Sequence, residues 1–194
     1  MGLIYASFGD WKINIGCNKM LLEDIYTLRT QVFVREEGFD HSMVKTEMDE
    51  DSVHIVIFQQ RTPVACVSIV KPDVLNASWE QLHLPSAEKG SAVLVTKMIV
   101  LPTHRHHGLP VILVAAMDQI VFPRFGYRCA YVILIDKHCF NAPLYNKIAG
   151  CNVISHYKVT SSSPERIVMM MDRESLQFQN VRNEFLNAIK LTLD

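Results

Sequence analysis

Arg105 lies in a short basic loop with His104, His106 and His107, opened by Pro102 and closed by Gly108, Leu109 and Pro110. An apolar, strand-like run (Ile99, Val100, Leu101) leads in, and an apolar, helix-like run leads out. The first N–H groups of a helix have no partner within it, and its dipole favours negative charge there. A strand, a cationic loop and a helix start therefore make an anion site, with a phosphate-bearing cofactor as natural occupant. The same pattern also suits a solvated strand-to-helix turn.

Other groups could share that chemistry. Glu47, Asp49, Glu50 and Asp51 form an acidic run that could bind an amine or supply a base, or simply solvate a loop. Asp136 and His138 follow an apolar run, and strand ends at a sheet opening often hold functional groups. The histidines tempt a metal reading. Consecutive side chains diverge, however, and no HxxxH or CxxC partner is in view, so no metal is expected. Met169, Met170 and Met171 read as core, or as the lining of an acyl tunnel.

The elements that must position these groups alternate in type. Leu21, Leu22, Ile25, Leu28 and Val32 recur at helical spacing, so about 19–36 reads as an amphipathic helix ended by Gly38. Residues 39–50 read as a loop. Val53–Phe58 and Val64–Val70 read as a hairpin around a turn that ends in Pro63. Residues 71–90 read as loop with a short helix near 78–83. Ala92–Val100 is a third long strand, Pro110–Phe122 a buried helix, and Ala130–Ile135 a strand buried on both faces. A helix near 141–149, strands at Val153–Val159 and Arg166–Met171, and an amphipathic helix at about 174–191 complete a mixed α/β sheet with helices on its faces. The stripe of that last helix suits a dimer contact and packing on the sheet equally well.

Composition bounds the partners. The 194 residues suit one domain, and about half are apolar. A net charge of −1 leaves no global basic field for nucleic acid. Five cysteines without CxxC spacing read as reduced thiols of a cytoplasmic protein. No apolar run nears the roughly 20 residues of a membrane span, because Asp118 and Gln119 break the longest one. The first residues lack the charge and apolar run of a signal peptide.

Three blocks, in order over about residues 25–155, resemble the GNAT acyltransferase superfamily. Leu28-Arg29-x-x-Val32-Phe33-Val34-x-Glu36-x-Gly38 is similar to the LR-x-x-VFV-x-E-x-G helix of a bacterial branch, and it leads into Glu47–His54. Val100-x-Pro102-x-x-Arg105-x-x-Gly108-x-Pro110 is similar to the acyl-CoA loop. Leu144-Tyr145-Asn146-Lys147 with Gly150 is similar to the helix after the fifth strand.

The resemblance implies an α/β GNAT fold: a mixed, mostly antiparallel central sheet with helices on both faces, over a single domain 1–194. It implies transfer of an acyl group, by direct attack, from a pantetheine thioester to a small-molecule amine. The backbone at Met98 and Val100 would hold the pantetheine arm. Arg105, His106, His107, Gly108, Leu109 and Pro110 would hold the pyrophosphate. Tyr145 would protonate the leaving thiolate, and Asp136 would serve as base. Arg29, Phe33, Glu47 and Asp49 would line the acceptor site. The donor would be acetyl-CoA or another acyl-CoA. Some resemblance to N-acyl amino acid synthases makes a long-chain donor on acyl carrier protein the alternative. A non-catalytic binding module is a further one.

Departures from the pattern bear on these roles. Pro110 replaces a small residue and lacks an N–H. His106 and His107 stand where Arg or Gly is common, and Gly150 falls one residue late, before Cys151. Ser68, Leu94 and Lys97 replace the charged residues of acyl-homoserine-lactone synthases.

Overall fold

The computed structural model describes residues 2–76, 79–80, 82, 84, 92–135, 141–158, 161 and 165–193. Among these, nine strands form one sheet. They are β1 (Ile4–Phe8), β2 (Trp11–Gly16), β3 (Val53–Gln59), β4 (Thr62–Val70), β5 (Ala92–Val100), β6 (Cys129–Leu134), β7 (Asn152–Tyr157), β8 (Arg166–Asp172) and β9 (Thr192–Leu193). Their order is β7-β8-β6-β5-β4-β3-β2-β1-β9. Only β5 and β6 run parallel; every other pair is antiparallel.

Helices cover both faces, as the sequence implies. The helix α1 (Lys19–Arg29) continues as a π-helical segment over Thr30–Glu36. Asn18 caps it, its Oδ1 accepting from Leu21 N–H at 2.8 Å. Leu21, Leu22, Ile25 and Leu28 pack on Val56, Phe58, Cys66 and Ile99 on one face. Truncating Ile25 to Ala would cost about 2–5 kcal/mol. Trp79 and Leu84 cover Leu94 and Tyr131 as a separate cluster.

The opposite face carries α3 (Leu109–Ala116), α4 (Phe122–Phe125), α5 (Asn141–Ala149) and α6 (Leu176–Glu184). Leu113, Val121, Phe122, Ile148, Phe178 and Leu186 join the inward residues of the strands there. A π-helical segment over Met117–Val121 links α3 to α4, so the expected 110–122 helix runs to Phe125. The polar break in that run has a use. Asp118, almost wholly buried, accepts from Arg173 Nε (2.9 Å) and Arg182 Nε (2.9 Å). Gln119 Nε2 donates to the carbonyls of Leu186 and Ile189 at 3.0 and 2.8 Å.

Three expectations need correction. The hairpin β1–β2 lies in a segment read without structure. The short helix near 78–83 falls mostly outside the described residues, while α2 (Pro72–Asn76) forms ahead of it. The last helix spans only Leu176–Glu184, with a 3-10 turn at Leu186–Ala188. Ser175 starts it as a cap, and Gln119 binds carbonyls beyond its end while the chain crosses to pair with β1. Cys17, Cys66, Cys129 and Cys151 are free thiols, all buried except the half-buried Cys17, and Cys139 lies outside the described residues.

Candidate active site

The site begins where two strands part. Among the described residues, β5 pairs with β6 only through Ala92–Val95, opposite Cys129–Val132. β6 itself pairs with β8 along its whole length, Cys129 to Leu134. Past Val95, the lower half of β5 has no strand partner on the β6 side among those residues, and it borders a gap there. Its other edge stays on β4, with one irregularity: between the pairs Cys66–Ile99 and Ser68–Thr96, one residue of β4 (Val67) opposes two of β5 (Lys97 and Met98). Lys97 is in the left-handed region there, at φ 54°. This is a β-bulge, which kinks a strand and re-aims its groups.

Beyond the bulge, Leu101 N–H donates to Val64 O at 2.9 Å, towards β4. Strand alternation then turns the backbone groups of Val100 and Met98 the other way, towards the gap. Arg105 Nε approaches Val100 O from that side at 3.3 Å. Met98 and Val100 thus offer backbone donors and acceptors to an extended ligand.

The basic loop is a 3-10 turn over Pro102–His107. Gly108, at φ 70°, reverses the chain into α3, with Leu109 and Pro110 in its first turn. A left-handed φ is natural for glycine and costly for a residue with a Cβ. Several of the loop's basic side chains already have protein partners. Arg105 makes a two-pronged pair with Glu36 at 2.7 and 2.8 Å. His104 Nε2 meets Gln59 Oε1 at 2.9 Å. The rings of His104 and His107 lie 6.2 and 5.9 Å from that of Trp11. His106 is exposed.

On the α1 side of the gap lies a buried polar network. Arg29, with no exposed surface, donates to Asp49 Oδ2 (2.8 Å), Val44 O (2.8 Å) and Ser68 Oγ (2.7 Å). His54 Nδ1 lies 2.8 Å from Ser68 Oγ, and its Nε2 lies 2.8 Å from Asp49 O. Arginine can only donate and a carbonyl only accept, so one assignment satisfies Ser68 Oγ and both His54 nitrogens. Ser68 accepts from Arg29 and donates to His54 Nδ1, and His54 Nε2–H donates to Asp49 O. The imidazole is neutral in this arrangement, and burial lowers its pKa to about 4.

Burial alone would raise the Asp49 pKa, but the hydrogen bond and charge of Arg29, with Thr46 N–H, outweigh it and hold the carboxyl below its ordinary value. Burial pushes the Cys66 thiol up to about 12 and lowers Lys97 to about 8, Arg29 adding to the latter. Lys97 Nζ reaches Thr46 Oγ1 at 3.5 Å.

The other sequence-level candidates are spread out. Tyr145 lies on α5 in the core of the opposite face, where burial raises its pKa and keeps its hydroxyl protonated. Asp136 and His138 lie outside the described residues. Phe33 is half-buried edge-on to Phe39, 6.1 Å between ring centroids. Glu47 is exposed. Arg29 and Asp49 come together, but beneath the surface. Lys97, Ser68 and His54 were legible only as departures or as strand residues. A lysine inside an otherwise apolar strand was the available signal.

No family model matches the sequence. Solved structures share the fold. The CoA-dependent acyl-homoserine lactone synthase BjaI, solved with SAM and isopentyl-CoA, superposes with a TM-score of 0.64 at 16% identity, over 95% of this chain and 90% of its own. An acyl-CoA N-acyltransferase from Pseudomonas aeruginosa gives 0.59 at 16% identity, over 87% and 99%. The ribosomal-protein-S18-alanine N-acetyltransferase from Escherichia coli gives 0.56 at 13% identity, over 82% and 93%. With its mixed nine-stranded sheet, its parted parallel pair and these neighbours, the chain has the GNAT acyltransferase fold.

Proposed function

We propose that this protein is an N-acyltransferase that moves an acyl group from a pantetheine thioester to the nitrogen of a small amine. The parting of β5 from β6 carries the reading, because it turns the Met98 and Val100 backbone towards an open gap that ends at the basic loop. An acyl-CoA fits this layout: pantetheine lies along Met98 and Val100, and phosphates meet Arg105, His106, His107 and the backbone from Gly108 to Pro110. Phe33 and Glu47 face the acceptor, with Arg29 and Asp49 as the frame behind them.

The reaction needs no enzyme nucleophile. The neutral amine attacks the thioester carbon, the C–S bond breaks and the thiolate leaves. Tyr145, protonated at any physiological pH, supplies the proton to sulfur. Asp136, beyond the end of β6, takes the proton from nitrogen. Holding both substrates in the gap supplies most of the acceleration.

A second reading changes the donor. Arg105 is tied to Glu36, and His104 and His107 rest on Trp11, so most of the loop's basic side chains are already engaged. A long acyl chain on acyl carrier protein brings pantetheine but no adenosine diphosphate, and it would need fewer. A homodimer through α6 has little to use: Phe178 and Val181 are spent in the core, leaving Leu176 exposed.

Thermal-shift measurements with CoA, acetyl-CoA, octanoyl-CoA, palmitoyl-CoA and acyl-loaded carrier protein test both. A ligand at 100 times its Kd stabilises by about 2.7 kcal/mol. Stabilisation by CoA and acetyl-CoA supports the first reading, and by long-chain donors alone the second. No response to any of them leaves a non-catalytic module and removes the donor assignment.

A further inference from the structure

Lys97 is the odd residue of this fold. It is the one charged residue of β5, its backbone is left-handed at φ 54°, and it stands beside the gap. A left-handed φ on a residue with a Cβ is sparsely populated and persists where the surroundings enforce it, often at functional sites.

The charges around it do not balance. Arg29 from α1 and Lys97 from β5 are cations, and among the described residues Asp49 from the 39–50 loop is the one carboxylate acting on both. Cys66 of β4 stays a thiol and His54 of β3 stays neutral. Asp49 is engaged by Arg29 and by Thr46 N–H. Among the described residues, Lys97 contacts only the Thr46 hydroxyl, at the limit of a hydrogen bond. Among the described residues, Arg29 Nε is buried there without a hydrogen-bond partner. A half-buried ammonium with no carboxylate in direct contact among the described residues is unfavourable, less so than one buried outright.

We propose that Lys97 is the anchor for a carboxylate on the acyl acceptor, so that the acceptor class is amino acids, with amine and carboxylate on one small frame. This inference rests on the N-acyltransferase reading above. The donor's own anions do not compete for the place. The basic loop begins five residues further along β5, about 16 Å at strand rise. Phosphates sit at that end and the thioester at the bulge. A carboxylate held by Lys97 leaves the amine of the same molecule beside the gap. The cations also disfavour an ammonium there, which helps the amine arrive in its neutral, nucleophilic form. At neutral pH most Lys97 side chains are protonated and ready for an anion.

The test compares matched amines with acetyl-CoA and octanoyl-CoA as donors: L-phenylalanine against phenethylamine, and L-leucine against isopentylamine, read by thiol release. Wild type is expected to favour the carboxylated partner by about 10- to 100-fold in kcat/KM, the range of a charge-assisted hydrogen bond. Lys97→Met should erase that preference while keeping the thermal shift with CoA. Lys97→Arg should keep the preference, and hold it at pH 9 where wild type loses it. Independently of turnover, the Lys97 ammonium, followed by NMR and assigned with Lys97→Met, should titrate higher in acetate or L-phenylalanine than in chloride. A preference that survives Lys97→Met, or an unmoved titration, overturns the anchor. Failure of CoA, the acyl-CoAs and acyl-loaded carrier protein alike to stabilise wild type instead removes the acyltransferase reading beneath it.

Discussion

Arg105 and Glu36, 69 residues apart in sequence, grip each other with both prongs at 2.7 and 2.8 Å. The pair joins the π-helical segment after α1 to the basic loop after β5, so two of the motif blocks meet in space. Both side chains are partly exposed, 43% and 30%, so the pair adds under about 1 kcal/mol to stability. Its weight falls on the donor site. Glu36→Gln should free Arg105 and tighten CoA binding roughly three- to tenfold by calorimetry. Weaker binding would mean that Glu36 holds Arg105 in its working pose.

Tyr145→Phe should lower kcat on the order of 100-fold, with CoA affinity held within about twofold. Steady-state kinetics beside calorimetry check this. Because burial raises the pKa of Tyr145, the rate should show no alkaline limb from this group below pH 10. Unchanged turnover would take the hydroxyl out of the mechanism.

His54 sets an acid limit on the fold. Its folded pKa of about 4 lies below its ordinary 6.5. Below pH 6.5 the unfolded chain takes up a proton that the folded chain refuses, so stability falls as pH drops towards 4. The loss saturates at about 3 kcal/mol. Urea denaturation between pH 7.5 and 4.5 should show the slope in wild type and not in His54→Gln. Asp49 adds its own loss only lower, below its ordinary 3.8, so the two windows separate.

Asp118 holds two arginines from beneath the surface. Asp118→Ala should cost about 3–5 kcal/mol, since the cations lose their partner while staying partly buried. Arg173 and Arg182 keep 18% and 34% exposure, which places the loss at the lower end by chemical denaturation.

The middle of the fold was legible because β3, β4, β5 and β6 are apolar runs bounded by turn residues, and burial on both faces demands such runs. Gly150 was legible as a motif residue, and its place has a physical cause. At φ 58° it ends α5, and an added Cβ would lie 2.9 Å from Phe178 Cα. The β1–β2 hairpin was legible but unread: Trp11-Lys12-Ile13-Asn14-Ile15 alternates apolar and polar as a half-buried strand does, and Gly9-Asp10 marks its turn, while only β1 is too short and mixed to stand out. Within the site, the loop and Tyr145 could be named from spacing. Pairings such as Arg29–Asp49–Ser68–His54 could not, because they join four elements whose contact depends on the sheet order.

The bulge at Lys97 can also be read as a shift of phase. Before it, Val93 and Val95 face the large core; after it, Met98 and Val100 do. The inward set changes from odd to even numbers, so one residue is surplus to the packing. A chain with Lys97 deleted could run straight along β4 with every core residue facing the same way. Packing therefore does not require the left-handed residue. It is a spare position in the strand, set where β5 and β6 part among the described residues.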